Sequence, residues 1–514
     1  MINKNILYSF VLILISIINY RTYAQERPNI IVFLVDDMGW VDTSLPFGEN
    51  VEALNKVYHT PNMERMAKNG MLFSDAYATP VCTPSRVSML TGMNAAHHQV
   101  TNWTSIVRDQ PSDRDDDKFE RLEWNHNGYS PTSNISNTVH ATALPQILRD
   151  AGYFTIHVGK AHWGSQGTPG ANPLNLGFII NVAGNSIGHP QSYLGKDNYG
   201  NVPGKFTYNA VQGLAEYYGT ETFLTEALTQ EAMKTLEEPR KQGQPFYLHL
   251  AHYAVHDPIQ ADERFVQKYY DRNMDSIEAR YASLVEGMDK SLGDILDYLE
   301  EHNLVDNTVV LFMSDNGGLS HYGRGGERHT QNLPLKAGKG SVYEGGVREP
   351  MLVQWRGKVK AGTRSDQPVI IEDFFPSILE LAGITDPQYT QQIDGCSFVP
   401  VLEGKETNRQ GPLIWHYPHR WTVEDGPGIN FFSAIREGNW KLVYDHKEEA
   451  LELYNLKNDI GEHKNLLNEQ NEITKKLAGQ LTEHLKKWNA KMPVYKETGK
   501  AIPWPDEILN SQKE

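Results

Sequence analysis

The sequence predicts an α/β protein in which a large, mixed but mostly parallel sheet is sandwiched by helices. A small C-terminal subdomain of antiparallel strands and one helix follows it. Two observations indicate this fold. Continuous apolar runs occur before residue 320, and such runs are typical of strands that helices cover on both faces. After residue 395 the chain changes to short apolar runs separated by turn residues, which is the pattern of an antiparallel sheet.

Each of the long apolar runs ends in a cluster of polar residues. The runs are residues 29–35, 153–158, 246–250 and 308–313. The polar residues that follow them include Asp36 and Asp37, Lys160 and His162, His252 and His256, and Asp315 and Asn316. In open α/β sheets the ligand lies beyond the carboxyl ends of the strands. The sequence therefore predicts that these polar residues meet in one site, except His252, which we assign to the edge of its strand.

Helical segments alternate with the strands. The predicted helices are residues 60–70, 144–151, 281–303 and 373–383, and the third carries a stripe of apolar residues that we assign to the core. In the tail we predict strands at residues 412–417, 431–436, 440–444 and 451–456, and an amphipathic helix at residues 473–488. The predicted division is a main domain of residues 25–395 and a C-terminal α+β subdomain of residues 396–514.

Residues 1–24 are predicted to be a signal peptide. Lys4 supplies a positive charge, residues 6–18 are almost continuously apolar, and a small-residue cleavage site precedes Gln25. The alternative is an uncleaved N-terminal anchor. We therefore expect an exported protein, periplasmic or secreted, and no other segment is apolar enough to predict a membrane span.

The chain is strongly acidic, with a formal net charge of −16 over 514 residues. This charge argues against nucleic acid or an anionic membrane surface as a partner. An anionic substrate would need a local positive field, made by a metal ion and basic side chains. Part of the acidic charge lies in residues 113–117, which we interpret as a solvated loop or else as an additional cation site.

Cys82 is one of only two cysteines, the other being Cys396. It opens the stretch Cys-Thr-Pro-Ser-Arg, in which Pro84 suits the first turn of a helix that Gly92 would end. The free N–H groups and the positive dipole end of such a helix favour an anionic ligand, and Arg86 adds a forked donor for a tetrahedral oxyanion. The pattern indicates a reactive position, whereas the alternative is a disulfide between the two cysteines.

Residues 82–86 resemble the Cys-x-Pro-x-Arg signature of type I sulfatases, a family of the alkaline phosphatase superfamily. Residues 159–164, 256–258 and 338–348 resemble further motifs of that family, and the likeness covers nearly all of residues 27–490. The resemblance implies an alkaline-phosphatase-like fold, a catalytic main domain and hydrolysis of sulfate esters. It also implies that a formylglycine-generating or anaerobic sulfatase-maturing enzyme oxidises Cys82 to Cα-formylglycine, whose hydrate attacks the ester.

Asp36, Asp37, Asp315 and Asn316 offer hard oxygen ligands. Such ligands favour Ca²⁺ or Mg²⁺ over zinc. The resemblance implies calcium at these positions, with residue 82 beside it. Taken alone, the pair of aspartates after the first strand would instead be interpreted as a turn or a helix cap.

The resemblance also implies roles for the remaining polar residues. Arg86, Lys160 and Lys339 would hold the sulfate oxygens, and the spacing to Tyr-Glu-Gly-Gly selects Lys339. His256 would protonate the leaving alkoxide. His162 would take a proton from the hydrate, so that the sulfated intermediate collapses and releases sulfate.

The predicted substrate is a sulfated carbohydrate, because export favours encounters with polysaccharides and because the region 172–193 resembles bacterial carbohydrate sulfatases. Candidate sugar contacts are Trp103, Trp163, His98, His189, His321 and Arg324. Two alternatives remain open at this point. One is a formylglycine-dependent phosphonate or phosphate ester hydrolase of the same superfamily, and the other is a non-catalytic carbohydrate-binding protein.

Overall fold

The computed structural model describes residues 27–322, 324–405 and 409–511, so the predicted signal peptide at residues 1–24 lies outside the described residues. The strands, numbered in chain order, are β1 (Asn29–Val35), β2 (Met71–Tyr77), β3 (Tyr129–Ser130), β4 (Val139–His140), β5 (Phe154–Gly159), β6 (Ile180–Val182), β7 (Phe246–Ala251), β8 (Thr308–Ser314), β9 (Arg348–Gln354), β10 (Thr363–Ser365), β11 (Val369–Ile370), β12 (Leu413–Tyr417), β13 (Phe432–Glu437), β14 (Trp440–Asp445) and β15 (Ala450–Asn455).

The α-helices lie between these strands and after them. Their bounds are Pro61–Asn69, Cys82–Thr91, Ala95–His98, Leu144–Asp150, Leu224–Gln242, Gln267–Tyr270, Ser276–Glu301, Glu344–Val347, Phe374–Leu381, Val399–Leu402, Asn471–Lys487 and Pro505–Ser511. Within the described part of the chain, no helix has the length and apolar character that a membrane span requires.

The large sheet has nine strands, in the order β10-β2-β9-β8-β1-β7-β5-β6, with β11 beside β2. β9 is antiparallel to β2 and β8, and the other pairs are parallel. This arrangement confirms the predicted mixed, mostly parallel sheet. The four strands predicted from apolar runs are β1, β5, β7 and β8, and they are consecutive neighbours in the order β8-β1-β7-β5.

Alternate residues of β1 face two different apolar cores. Ile30 and Val32 belong to one core, and Ile31 and Phe33 belong to the other, and all four are fully buried. A strand that is apolar on both faces is stable only when helices cover both faces, which is why the run lacks polar alternation. The predicted core stripe of helix Ser276–Glu301 lies in the second of these cores.

Two details of the large domain differ from the sequence prediction. The long helix begins at Ser276 rather than at residue 281, because the Asp275 side chain accepts hydrogen bonds from the N–H groups of Ile277 and Glu278. The prediction also omitted β2 and β9, which pair with each other across nearly 280 residues of sequence.

The C-terminal subdomain is a four-stranded antiparallel sheet in the order β12-β13-β14-β15, as predicted. One face packs on helix Asn471–Lys487 through residues such as Leu442 and Leu481. The other face joins a core of the large domain through Trp415 and Val443. The sheet is thus fixed against the large domain, while the boundary at residue 395 stays a prediction.

Candidate active site

The carboxyl ends of β8, β1, β7 and β5 lie side by side, and the polar residues that follow these strands meet there. Asp36 and Lys160 are joined by an ion pair of 2.6 Å, although they lie 124 residues apart. Asp315 follows β8 and Asp36 follows β1, and both are fully buried. Strands with apolar side chains on both faces hold these charged residues at a fixed depth below the surface.

Cys82 is the first residue of helix Cys82–Thr91. Val81 before it is extended, and Gly92 ends the helix with φ 71°, a left-handed conformation that favours glycine. The Cys82 side chain is 4% exposed, and both it and Cys396 are free thiols. The structure therefore contradicts the disulfide alternative, while the reactive role of Cys82 stays a prediction.

His162 is the side chain that faces Cys82. Its Nδ1 lies 3.5 Å from the Cys82 Sγ, and its Nε2 lies 2.9 Å from the carbonyl oxygen of Thr104. An Nε2–H that donates to this carbonyl leaves Nδ1 with a free lone pair toward position 82. Burial, assisted by the charge of Lys160, holds the pKa of His162 well below its usual range. This imidazole is therefore neutral and can accept a proton from a group at position 82.

Arg86 is buried one turn beyond Cys82 and links several parts of the site. Its Nε donates to Asp315 Oδ2 at 2.8 Å, and its Nη1 donates to the carbonyl oxygen of Lys160 at 2.9 Å. The Nε1 of Trp163 donates to the carbonyl oxygen of Arg86 at 3.1 Å. The guanidinium is thereby held in one orientation at the base of the site.

Lys339 and Asp37 form a second charged group beside the first. Lys339 Nζ lies 2.7 Å from Asp37 Oδ2 and 2.9 Å from His256 Nε2, and Asn316 Nδ2 donates to Asp37 Oδ1 at 2.8 Å. Burial opposes ionisation of Asp37, but His256 and Lys339 outweigh it and hold the pKa of Asp37 below its usual value. Asp37 is therefore an ionised carboxylate.

His256 lies between two carboxylates. Its Nε2 is 3.4 Å from Asp37 Oδ2, and its Nδ1 is 2.9 Å from Asp257 Oδ1. Burial and the Lys339 ammonium lower the pKa of His256, but Asp37 and Asp257 outweigh them and raise it to about 9. His256 is therefore a cationic acid near neutral pH, in contrast to the neutral His162.

The donor set at the base of the site fits a divalent cation. One ligand atom from each of Asp36, Cys82 and Asp315 lies within 4.8 Å of the others. The Oδ1 atoms of Asp36 and Asn316 are buried without a hydrogen-bond partner among the described residues. Burial raises the pKa of Asp36 to about 8, with Lys160 opposing and Asp315 adding to the shift. A cation would satisfy these oxygens and favour the ionised carboxylate.

Two residues of the site have strained backbones. Asp37 has φ 63° and His162 has φ 54°, which are left-handed values that are uncommon for residues other than glycine. Such strain is maintained only where the surroundings fix the conformation, and it concentrates at functional sites. At His162 the imidazole packs against the backbone of Gly188, where a Cβ would lie 2.7 Å from its Cε1.

A cavity of about 860 Å³ opens above Cys82, His162, His256 and Lys339. Its walls include the predicted sugar contacts His189, His321 and Trp103. The His189 ring stacks on the His256 ring, with centroids 5.5 Å apart. The remaining wall residues were not predicted as sugar contacts, and they are Val81, Thr104–Val107, Ser112, Arg114, Gly188, Tyr208, Asn209, Asp257, Tyr322, Arg328 and Trp421–Glu424.

Three predicted sugar contacts need correction, because they lie outside the cavity wall. His98 is 1% exposed, and its Nε2 lies 3.1 Å from Ser88 Oγ within the helical layer. Arg324 is 2% exposed and donates two hydrogen bonds of 3.0 Å to Asp42. Trp163 is buried beneath Arg86. Arg324 and Trp163 contact partners that are 282 and 77 residues away in sequence, and no local pattern indicates such partners.

Family models match most of the chain. The model described as Sulfatase matches residues 28–384, and the one described as N-sulphoglucosamine sulphohydrolase, C-terminal, matches residues 338–491. A sulfatase of Formosa agariphila is 28% identical over 94% of this chain and 93% of its own. Human N-acetylgalactosamine-6-sulfatase is 32% identical over 85% of this chain and 81% of its own.

A solved structure is similar over nearly the same length. The crystal structure of Ps i-CgsB aligns with a TM-score of 0.70 and 27% identity, over 90% of this chain and 92% of its own. Ps i-CgsB has also been solved in complex with k-i-k-neocarrahexaose, and that structure aligns with a TM-score of 0.68.

Proposed function

The chain belongs to the sulfatase family and is a sulfuric ester hydrolase, and we propose that it releases sulfate from a sulfated carbohydrate by means of Cα-formylglycine made from Cys82. The observation that carries the proposal is the environment of the Cys82 Sγ. This atom lies 3.5 Å from a neutral histidine and shares a buried cluster with Asp36 and Asp315, at the base of an 860 Å³ cavity. The Sγ marks the position that a hydroxyl oxygen of the formylglycine hydrate would occupy in the mature enzyme.

Calcium is the metal we propose, held by Asp36, Asp37, Asp315 and Asn316 together with residue 82. The carboxylate and amide oxygens are the ligand type that calcium prefers. When bound, the ion would polarise a sulfate oxygen, and the formylglycine hydrate would supply the nucleophilic hydroxyl.

Three cations of this chain would bind the sulfate group. Arg86 and Lys160 are buried at the base of the site, and Lys339 lies beside them against Asp37. Their positive charges offset the negative charge that develops on the ester oxygens. Because each is fixed by a carboxylate or a backbone carbonyl, little reorganisation is needed when the sulfate enters.

His162 and His256 would move protons in opposite directions. His162 presents a free Nδ1 lone pair to position 82, so it is the base that accepts a proton there. His256 carries a proton because Asp37 and Asp257 raise its pKa to about 9, so it is the acid that protonates the leaving sugar oxygen. Two histidines whose environments separate their pKa values thus take two different roles.

A carbohydrate is the proposed substrate class for two reasons. The relatives above include N-acetylgalactosamine-6-sulfatases and a protein solved with neocarrahexaose. The cavity also combines polar groups with aromatic faces, including Trp103, Tyr208, Tyr322 and Trp421. Aromatic faces suit the apolar faces of sugar rings, and polar groups suit their hydroxyls. Export through a signal peptide at residues 1–24, and maturation by a formylglycine-forming enzyme, complete the proposal.

The test is release of free sulfate from defined sulfated mono- and oligosaccharides, compared with aryl, steroid and choline sulfates. The enzyme should be produced in a host that forms formylglycine and assayed with calcium present. Turnover of saccharides supports the proposal. Turnover of non-sugar esters alone would refute the carbohydrate assignment, and faster hydrolysis of aryl phosphate or phosphonate than of aryl sulfate would favour the alternative hydrolase.

A further inference from the structure

The acidic loop at residues 113–117 is fastened to a loop of the C-terminal subdomain at the mouth of the cavity. Arg114 N donates to the carbonyl oxygen of Arg420 at 2.9 Å, and Arg420 Nη1 donates to that of Asp115 at 2.9 Å. Asp116 pairs with Lys447 at 3.0 Å. Asp113 accepts from the Nε1 of Trp124 at 3.0 Å. The buried acids of this loop are thus satisfied by protein groups, which argues against the additional cation site considered from the sequence.

Arg114 is the member of this loop that lines the cavity. Its Nε donates to the carbonyl oxygen of Trp421 at 3.3 Å, which directs the guanidinium along the wall. Within the described residues, no carboxylate lies within ion-pair distance of Arg114. The other arginine of the wall, Arg328, differs because it is paired with Glu424. Arg114 is exposed and therefore brings to the mouth of the cavity a guanidinium that has no ion-pair partner among the described residues.

Aromatic side chains connect this charge to the base of the site. The Trp421 ring covers Gly340, where a Cβ would lie 2.1 Å from the ring, so the indole packs directly beside Lys339. The His321 ring contacts the Trp421 ring at 4.8 Å and the Tyr322 ring at 4.0 Å between centroids. One wall of the cavity therefore runs from Lys339 over an aromatic surface to Arg114.

We propose that Arg114 and the Trp421 wall form a second anion subsite, so that the preferred saccharide carries, besides the sulfate that is cleaved, another sulfate or a carboxylate toward the cavity mouth. This inference rests on the proposed function. The base of the site already binds one sulfate through Arg86, Lys160 and Lys339, so the free guanidinium at the mouth is available to a different anionic group. Arginine suits either group, because its planar fork pairs with both sulfate and carboxylate oxygens.

The test compares Arg114→Gln with wild type on three disaccharides that share one cleavable sulfate. The first carries a second sulfate, the second carries a uronate carboxylate, and the third is otherwise neutral. Wild type should prefer one or both of the first two over the third. Arg114→Gln should raise KM for the preferred substrate about tenfold, since it removes one charge-assisted contact, while kcat stays unchanged. The substrate that loses most identifies the anion as sulfate or carboxylate.

The controls separate this inference from the proposed function. 4-Nitrophenyl sulfate carries no second anionic group, so its turnover should be unchanged in Arg114→Gln. Arg328→Gln removes a charge already paired with Glu424 and should have a smaller effect, and Arg114→Lys should restore part of the lost affinity. Equal preference for the three disaccharides in wild type, or an unchanged preference in Arg114→Gln, would overturn the second subsite alone. Hydrolysis of the nitrophenyl ester with no saccharide turnover would overturn both proposals.

Discussion

The base and the mouth of the cavity hold their charges in different ways. At the base, Asp36, Asp315 and Lys160 are 0% exposed, and each lies within a short ion pair. At the mouth, the side chains of Arg328 and Glu424 are 59% and 68% exposed. A buried ion pair is costly to break, by about 3–5 kcal/mol, whereas an exposed pair contributes about 0–1 kcal/mol. The base is therefore rigid and the mouth is adaptable.

This difference indicates a division of labour. The base is built from the ends of adjacent strands, and in the proposed function its groups would contact the sulfate that every substrate shares. The mouth is built from loops of both subdomains, and its groups would contact the part of the substrate that varies. Substitutions at the base should lower the turnover of all esters, while substitutions at the mouth should change the preference among them.

The largest effect is expected at Cys82. Cys82→Ala should lower turnover of every ester by about 1000-fold or more, because the nucleophile is lost. Folding should be preserved, since the Sγ has one side-chain hydrogen-bond partner within the described residues, His162, and the helix needs no thiol. Activity assays and thermal melting measure the two effects. Mass spectrometry of the wild-type peptide should find formylglycine at position 82, and a fully active enzyme with only unmodified cysteine would contradict the mechanism.

The second effect concerns the metal. Asp315→Asn keeps the shape of the side chain but removes a charge that faces both the proposed cation and Arg86. We expect calcium content to fall, activity on all esters to fall by about 100-fold or more, and the melting temperature to drop. Elemental analysis measures the calcium content, activity assays measure turnover, and thermal melting with and without calcium measures the change in stability.

Asp262→Asn is the matched control for the metal prediction. Asp262 is also buried and is paired with an arginine, Arg264, at 2.6 Å, but it is not among the residues that could hold the metal. This variant should lose stability while keeping its calcium. Retention of calcium by Asp315→Asn would remove Asp315 from the ligand set.

The third effect separates acid catalysis from binding. His256→Ala should lower turnover of a sugar sulfate by about 100-fold or more, because the sugar alkoxide is a poor leaving group. An activated nitrophenyl sulfate should lose far less. Since the pKa of His256 is raised to about 9, wild-type turnover of sugar sulfates should fall as the pH rises through that value and the acid loses its proton. Equal losses on both esters in the variant would indicate a binding role.

His189→Ala is the control for His256, because its ring stacks on that of His256 and also lines the cavity. His189 is neutral, since burial lowers its pKa to about 4. His189→Ala should therefore change KM for saccharides. Unlike His256→Ala, it should not lower kcat more for a sugar sulfate than for nitrophenyl sulfate.

The base of the site could be predicted from the sequence, whereas most of the mouth could not. Apolar runs predicted β1 and β8, and the polar residues after them could be placed at one sheet edge because parallel strands end together. Arg114 and Trp421 meet across 307 residues of sequence, on loops without periodicity, so no local pattern predicted their contact. The error at Arg324 has the same origin, since Asp42, its partner, is 282 residues away.

The smallest effect tests whether the base tolerates a carboxyl group without a counter-charge. Glu349, in β9, is fully buried, and neither of its carboxyl oxygens has a hydrogen-bond partner among the described residues. Burial, with the charges of Asp315 and Asp37, holds the pKa of Glu349 well above 4.5. Protonation therefore favours the folded state, so the contribution of Glu349 to stability is fully present below pH 4.5 and is lost as the pH rises toward the native pKa of this group.

Glu349→Gln is neutral at every pH and should not show this decline. Its free energy of unfolding should be close to that of wild type near about pH 4.5, and the advantage over wild type should grow by up to about 1.4 kcal/mol for each unit of pH above that. Urea unfolding at about pH 5 and about pH 8 measures the difference. Glu263→Gln, at an exposed position, should show no such growth. If the difference in free energy of unfolding between Glu349→Gln and wild type is the same at both pH values, Glu349 is ionised in the folded protein. The buried base would then tolerate a charge without an ion-pair partner, as the exposed mouth does.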